Sequence, residues 1–485
     1  MDRQRSSDSA GRFADYLDKL ASVMGHAGRV GPMRDYCTGL LLPCERKSVE
    51  PIAAATAPER VGAQHQALLH FVAEGMWSDE VVLAKVRDMV LPQIERHGPI
   101  EAWIIDDTGF PKHGAHSVGV THQYCGELGK QANCQAAVSL SIANHHASLP
   151  VAYRLYLPKS WAQDKKRRTK AGVPDAIAFQ TKPKIALDQL AWACACGIPR
   201  GVVLMDSAYG TDASLRRGTR ELGLDYSAAV YARTLVQGGK GNKGKMTAEV
   251  LALGLPQRAW KTITWREGSA EPLRSRFARV RVRARGEGCT RNEPEEWLLV
   301  EWPEGEPAPT KYWLCSLPRN IAFDRLVDIT MMRWRIERDY QDLKQEVGLG
   351  HFEGRGWRGF HHHATMCIAA YGFLISERGA IPPRTRAAKF SSRNLPFRGL
   401  QIQRRRRCGL SDTSPTPSPA CDAASSPASH EHCHDVPVVR CHEPAGNDAE
   451  IRDAVQIKRG RHGPRQCSSA GRRTRNPTLV RNRRL

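Results

Sequence analysis

Residues 330–350 read TMMRWRIERDYQDLKQEVGLG, a polar stretch with regularly spaced charges. In an α-helix, Arg333, Glu337 and Lys344 fall within roughly 40° of one another around the helix axis. An acid flanked by two cations on one face is what a metal-dependent site beside a phosphate backbone requires. The same pattern is typical of a solvated helix held by surface ion pairs. The two interpretations differ in whether partner carboxylates exist elsewhere in the chain.

Two apolar runs of the strand type end in acidic residues. Residues 102–105 lead into Asp106 and Asp107, and residues 201–205 lead into Asp206. An unpaired carboxylate at the end of a buried strand destabilises the fold, so its presence there indicates a functional role. These acids are therefore candidate partners for the glutamate of the helix.

A set made of Asp107, Asp206 and Glu337, with Asp106 as the alternative first member, suits phosphodiester cleavage by two divalent cations. Two metals about 3.5–4 Å apart activate the attacking oxygen and stabilise the leaving oxygen. Carboxylate oxygens are hard ligands and select Mg²⁺ or Mn²⁺. The chain has 50 Asp and Glu residues, so many triplets exist by counting alone. The position of two members at strand ends favours this one.

The composition is strongly basic, with 72 Lys and Arg against 50 Asp and Glu and a net charge of +22. Such a charge indicates a polyanionic partner, nucleic acid before an anionic membrane. Residues 391–485 carry 18 Lys and Arg against 8 Asp and Glu, so the remainder of the chain carries +12. The 14 scattered cysteines, the polar N-terminus and the lack of runs of ~20 apolar residues predict a soluble cytoplasmic protein without a membrane segment.

The pattern along the chain predicts an α/β protein in five segments. Residues 1–98 show helical periodicity, which predicts an all-α region. Residues 99–256 and 319–383 form the two parts of a mixed α/β core. They are separated by a β-rich insertion at 257–318, where apolar residues alternate with arginines. Residues 384–485 are rich in Arg, Pro and Ser without a sustained period, which predicts a disordered basic tail.

Local signals refine this outline. Residues 1–12 are predicted to be disordered, Ser78 to cap a helix, and Pro92 to kink or end that helix. Residues 116–123 are predicted to form a strand and residues 361–378 a helix. The three histidines at the start of the last helix are interpreted as structural and not as metal ligands.

Four separated blocks resemble the DDE transposases of bacterial insertion sequences, in particular the IS-four and IS-seven-oh-one type. They are IIDDTGFPKHG (104–114), LPKSWAQDKKRRTKAGVP (157–174), VLMDSAYG (203–210) and RWRIERDYQDLKQEVGL (333–349). The resemblance covers roughly residues 15–383. It implies an RNase H-like mixed sheet flanked by helices, a β-rich insertion before the glutamate, and an N-terminal all-α region that binds DNA.

The resemblance also implies a catalytic and metal-binding triad. The family's first aspartate is followed by threonine, which favours Asp107 over Asp106. Asp206 and Glu337 match the second aspartate and the glutamate. These three carboxylates are expected to hold two Mg²⁺ or Mn²⁺ ions.

The family's Tyr-Arg-Glu-Lys signature implies DNA-binding residues around the glutamate. Arg333 and Lys344 match the signature and are expected to contact DNA phosphates. The tyrosine position holds Thr330, whose hydroxyl can donate a hydrogen bond but reaches less far than that of a tyrosine. In the insertion, Trp297 is a candidate to stack on a base displaced from a DNA hairpin, with strand packing as the alternative.

The function implied is a transposase that binds the terminal inverted repeats of its element, cuts both strands and joins the ends to target DNA. Its partners would be double-stranded DNA and a second copy of the chain, and a hairpin intermediate is implied. The alternative is a catalytically impaired, DNA-binding relic, because the tail resembles a high-GC gene translated out of frame after a frameshift near codons 384–400. A structure-specific nuclease on the same fold is a third possibility.

Overall fold

The computed structural model describes residues 2–238, 244–267 and 272–380. The strands in these ranges are β1 (Ala102–Pro111), β2 (Thr121–Cys125), β3 (Lys130–Ala143), β4 (Ser148–Leu155), β5 (Val202–Met205), β6 (Tyr226–Val230), β7 (Leu235–Gly238), β8 (Lys245–Thr247), β9 (Trp260–Glu267), β10 (Pro272–Ala284), β11 (Glu295–Trp302) and β12 (Lys311–Cys315). The helices are α1 (Asp2–Ala21), α2 (Val30–Leu41), α3 (Val49–Thr56), α4 (Val61–Ala73), α5 (Asp79–Glu95), α6 (Lys159–Ala162), α7 (Lys165–Lys170), α8 (Lys182–Ala195), α9 (Ser207–Gly210), α10 (Ala213–Glu221), α11 (Ala248–Leu253), α12 (Phe323–Met331), α13 (Trp334–Gln341) and α14 (Trp357–Ala380).

The described strands form one mixed sheet in the order β2-β3-β1-β5-β6-β12-β11-β10-β7-β8, with β4 paired to β3 and β9 to β10. β1, β5 and β6 run parallel. The predicted mixed α/β fold, a sheet flanked by helices, is therefore confirmed. β12 pairs antiparallel with β6, so the β-rich insertion continues the core sheet. β7 and β8 belong to this extension although they precede the predicted boundary at residue 257.

β1 lies between β3 and β5 and separates two hydrophobic clusters, because successive side chains of a strand point to opposite faces. Trp103 and Ile105 belong to one cluster, which includes residues of α8 and α14. Ala102 and Ile104 belong to the other, which includes Ile336 of α13. The face on which a β1 side chain lies therefore decides which helices it meets.

Three local predictions need correction. α1 begins at Asp2, where a disordered segment was expected. α5 is capped by Ser78 as predicted, but it continues through Pro92 to its end at Glu95. Pro92 lies in the last turn, so the helix ends three residues after the proline and not at it. β2 begins later than the predicted residue 116, because Gly119 has a φ of +74° and lies in a turn.

The N-terminal helices and the sheet share one core with α14, which is buried along most of its length. The three consecutive histidines lie in the first turns of α14 and hydrogen-bond to the surrounding elements. At His363, Nδ1 accepts from the Tyr36 hydroxyl at 2.8 Å and Nε2–H donates to the Gly348 carbonyl at 3.0 Å. Burial lowers the pKa of His363 to about 4. This ring is therefore a neutral structural element that joins α2, α14 and the end of the glutamate segment.

Candidate active site

Two aspartates meet where the parallel strands β1 and β5 lie side by side. The strands pair through Ile105 and Met205, and the next residues are Asp106 and Asp206. Neighbouring strands lie about 4.8 Å apart, so these two acids are adjacent. Asp206 follows the end of β5 as predicted, whereas β1 continues through Asp106 to Pro111, so the two acids meet where the pairing of β1 with β5 ends.

Asp106 lies on the sheet face covered by α12 and α13, since it follows Ile104 by two residues. Its Oδ2 accepts a hydrogen bond from Arg333 Nη1 at 3.0 Å. Burial raises the pKa of Asp106 to about 7, and the carboxylates of Asp206 and Asp107 contribute to the rise against the opposing effect of Arg333. Asp106 therefore sits where negative charge is crowded.

Asp206 is oriented by the turn that comes after it. Its backbone is extended, with φ −75° and ψ −179°, and it caps the four-residue helix α9. Its Oδ1 accepts from the backbone N–H groups of Ala208 and Tyr209, at 3.0 and 3.1 Å. The carboxylate of Asp206 is thus fixed at the edge of β5.

Glu337 lies in the first turn of α13, and its side chain is 71% exposed. Its Oε1 lies 3.8 Å from Arg333 Nη2, while the other nitrogen of the same guanidinium contacts Asp106. Arg333 therefore links Asp106 to Glu337, and Asp206 is the neighbour of Asp106 on the adjacent strand.

Asp107 lies on the opposite face of the sheet, because it alternates with Asp106 along β1. Its Oδ2 pairs with Lys182 Nζ at 2.6 Å, and its Oδ1 accepts from the Tyr209 hydroxyl at 3.2 Å. The sequence preferred Asp107 as the first carboxylate. Arg333 and Glu337 lie on the side of Asp106 and not on that of Asp107, which favours Asp106.

The helix predicted to place its charged residues on one face is not continuous. α12 ends at Met331, α13 begins at Trp334, and Asp342–Glu346 form a π-helical turn. A π turn changes the angular phase of the residues after it. Lys344 lies in that turn and donates to the Gly109 carbonyl at 2.7 Å, with Glu127 as its ion-pair partner. Lys344 therefore contacts β1 near its end from a π-helical turn, and not from the face of a continuous α-helix as predicted.

Thr330 does not face solvent. It is 2% exposed, and its hydroxyl shares a hydrogen bond of 2.8 Å with Ser227 Oγ, which ties α12 to β6. A DNA phosphate has no access to this buried hydroxyl. The burial of Thr330 disfavours the expected DNA contact, which stays a prediction.

Trp297 packs within the sheet extension. Its indole N–H donates to the Pro318 carbonyl at 3.2 Å. The guanidinium groups of Arg279 and Arg281 lie 4.5 and 4.8 Å from the ring centroid. These contacts favour the strand-packing interpretation of Trp297 over base stacking.

A second acidic group lies near the opposite end of β1. Glu101, His145 and Asp328 place ligand-type atoms within 4.8 Å of one another. Arg325 forms ion pairs with both carboxylates, so a cation already neutralises this group. It is a surface ion-pair network and not part of the candidate active site.

Lys182 and Tyr209 were not identified from the sequence as functional residues. Tyr209 stands in the block VLMDSAYG, three residues after Asp206, which is a signal that was available. Lys182 lies 75 positions from Asp107 in the chain, and no spacing rule connects them. Only the packing of α8 on β3, the neighbour of β1, brings Lys182 to this carboxylate.

Comparison with known proteins identifies the class. The chain belongs to the DDE superfamily endonucleases, whose family model matches residues 19–272, and the transposase DDE domain matches residues 184–373. The chain is 25% identical over 319 residues to the probable transposase for insertion sequence element IS701 of Microchaete diplosiphon, which covers 65% of this chain and 74% of that protein. The resemblance predicted from the four blocks is confirmed, and the chain is an enzyme of this endonuclease and transposase class.

Membership of the DDE superfamily implies the use of divalent metal ions and action on DNA. The residues matched by the two family models include all the candidate ligands. These matches do not favour the alternative that the chain is a catalytically impaired relic. The tail at 384–485, with its predicted frameshift, lies outside the described residues. In the described part of the chain, no helix combines the length and apolar character needed to cross a membrane.

Proposed function

We propose that this enzyme binds the terminal inverted repeats of an insertion sequence, cuts both DNA strands there and joins the freed ends to target DNA. The observation that carries the proposal is that Arg333 joins Asp106 to Glu337, with Asp206 beside Asp106, in a chain of the DDE endonuclease class. Cleavage by water and strand transfer by a 3′-hydroxyl are both in-line phosphoryl transfers, so one site serves both steps.

The proposed metal ligands are Asp106, Asp206 and Glu337. The donor set consists of carboxylate oxygens, which suits two Mg²⁺ or Mn²⁺ ions. The raised pKa of Asp106, caused first by burial and then by repulsion from Asp206 and Asp107, supports the fit, because a divalent cation would stabilise the ionised carboxylate there. When bound, the two cations would polarise the attacking and leaving oxygens of the phosphodiester.

Arg333 and Lys344 are the proposed phosphate contacts. Arg333 is partly exposed between two carboxylates, so its guanidinium orients Asp106 and Glu337 before DNA arrives. A bidentate guanidinium also matches the geometry of phosphate oxygens. Lys344 is held by the Gly109 carbonyl and by Glu127, and a phosphate would replace the partly exposed Glu127, whose ion pair contributes little.

The proposed partners are double-stranded DNA and a second copy of the chain, since two element ends must be held together for joining. The proposed location is the bacterial cytoplasm, in association with the nucleoid. The formal charge of +22 supports DNA as the partner through nonspecific attraction to phosphates.

The experiment is cleavage of DNA that carries the inverted repeats flanking this gene, by the full chain in Mg²⁺. Asp206→Ala is expected to abolish cutting, whereas Asp175→Ala, which changes an exposed acid away from the strand ends, is expected to leave it intact. Undiminished cutting by Asp206→Ala would contradict the proposal. Equal cutting of DNA without the repeats would favour a structure-specific nuclease.

A further inference from the structure

Tyr209 contacts two aspartates, the proposed metal ligand Asp206 and Asp107, which has no role in the proposed metal site. Its backbone N–H donates to Asp206 Oδ1 at 3.1 Å, and its side-chain hydroxyl donates to Asp107 Oδ1 at 3.2 Å. The residue is 1% exposed, so its ring has little freedom to move. Tyr209 therefore connects Asp206, at the end of β5, to Asp107 in β1.

Asp107 is held from a second side by Lys182, in the first turn of α8. Nζ of Lys182 lies 2.6 Å from Asp107 Oδ2, while Tyr209 uses Oδ1. Both carboxylate oxygens are thus engaged by the protein itself. Charge-assisted hydrogen bonds of this kind are short and directional, and they fix the carboxylate that accepts them.

The turn that carries Tyr209 depends on such contacts. α9 has four residues, too few to be stable alone. On its other side, Gly210 packs so closely on β6 that an added Cβ would lie 2.0 Å from the Ala229 carbonyl oxygen. The orientation of α9, and with it the two N–H groups that hold Asp206, is set by Gly210 on one side and by Tyr209 on the other.

We infer that Lys182, Asp107 and Tyr209 form a positioning chain that holds the metal ligand Asp206 in place. In this chain Lys182 fixes Asp107, Asp107 fixes the Tyr209 ring, and Tyr209 fixes α9 with its N–H donors. Asp107 is a positioning residue and binds no metal. The inference rests on the proposed role of Asp206 as a metal ligand.

The experiment measures Mn²⁺ binding to the full chain, by the loss of the free-ion electron paramagnetic resonance signal, without DNA or catalysis. Asp206→Asn and Asp106→Asn are expected to lose binding. Asp107→Asn, Lys182→Met and Tyr209→Phe are expected to keep the number of bound ions but to weaken affinity about 10- to 100-fold, as changes beyond the direct ligands do. The Mg²⁺ concentration for half-maximal cleavage should rise by a similar factor.

Two controls sharpen the test. Lys182→Arg, which keeps a cation, is expected to restore most of the affinity, and Asp175→Asn should bind as the natural chain does. Tyr209→Phe removes one oxygen without changing the ring, so it tests the chain even if another variant fails to fold.

Loss of all binding in Asp107→Asn, with binding kept in Asp106→Asn, would overturn the inference and make Asp107 the ligand. Unchanged affinity in Asp107→Asn, Lys182→Met and Tyr209→Phe would also overturn it. Failure of the natural chain to bind Mn²⁺ would instead remove the proposed metal site on which the inference rests.

Discussion

Acidification is expected to destabilise the fold through His363. Burial lowers the folded-state pKa of this ring from 6.5 to about 4. Between those values the unfolded chain binds more protons than the folded chain, so stability is lost as the pH falls through this window. From pH 7.5 to pH 5.0 the loss due to this single residue is about 2 kcal/mol, of a maximum of about 3 kcal/mol well below pH 4.

The assay is urea unfolding at pH 7.5 and pH 5.0 of the natural chain and of His363→Gln, which does not titrate. Other groups contribute to the pH dependence of both proteins, so the difference between them isolates His363. The variant is expected to lose about 2 kcal/mol less than the natural chain on acidification. His70→Gln, at an exposed position, is the matched control and should lose as much as the natural chain. Equal losses in His363→Gln and the natural chain would refute the reasoning.

Three further outcomes are expected. Thr330→Val should lower the free energy of unfolding by about 1–3 kcal/mol, because Ser227 loses one of its two buried partners and keeps only the Cys315 thiol, yet it should leave DNA affinity in a gel-shift assay unchanged. Gly210→Ala should cost about 1–3 kcal/mol by urea unfolding through its clash with the Ala229 carbonyl, whereas Gly350→Ala, where an added Cβ meets no atom of the described residues within 4 Å, should not. Chelation with EDTA should abolish DNA cleavage but not DNA binding, and Mg²⁺ or Mn²⁺ should restore cleavage; cleavage that persists in EDTA would contradict metal dependence.

Much of the organisation was available from the sequence because it is encoded locally. Apolar runs that end at Asp106 and Asp206 mark buried strands, and the alternation of strands with helices predicts the mixed sheet. The order of the four blocks pointed to the endonuclease class that the comparisons show. Ser78 likewise identified its helix start, since a cap needs only its immediate neighbours.

Other features depend on contacts between distant residues and were beyond local patterns. Thr330 looked like a surface donor, but packing of α12 on β6 buries it against Ser227. The spacing of Arg333, Glu337 and Lys344 assumed one regular helix, whereas the segment breaks and then adopts a π turn. The π turn shifts the angular positions of the residues after it, and this shift leaves no mark in the spacing of charged residues along the sequence.

The sequence by itself determined that an acidic pair comes after the apolar start of the first core strand and that a glutamate helix comes late in the chain. Only the tertiary structure decided which aspartate of the pair faces that helix. Asp106 and Asp107 are adjacent in β1, so they point to opposite faces of the sheet. α13 covers the face of Asp106 and α8 that of Asp107. The physical reason is that the strand backbone alone makes successive side chains point to opposite faces. Which charged residues each aspartate meets depends on which helices, distant in the sequence, pack on its face.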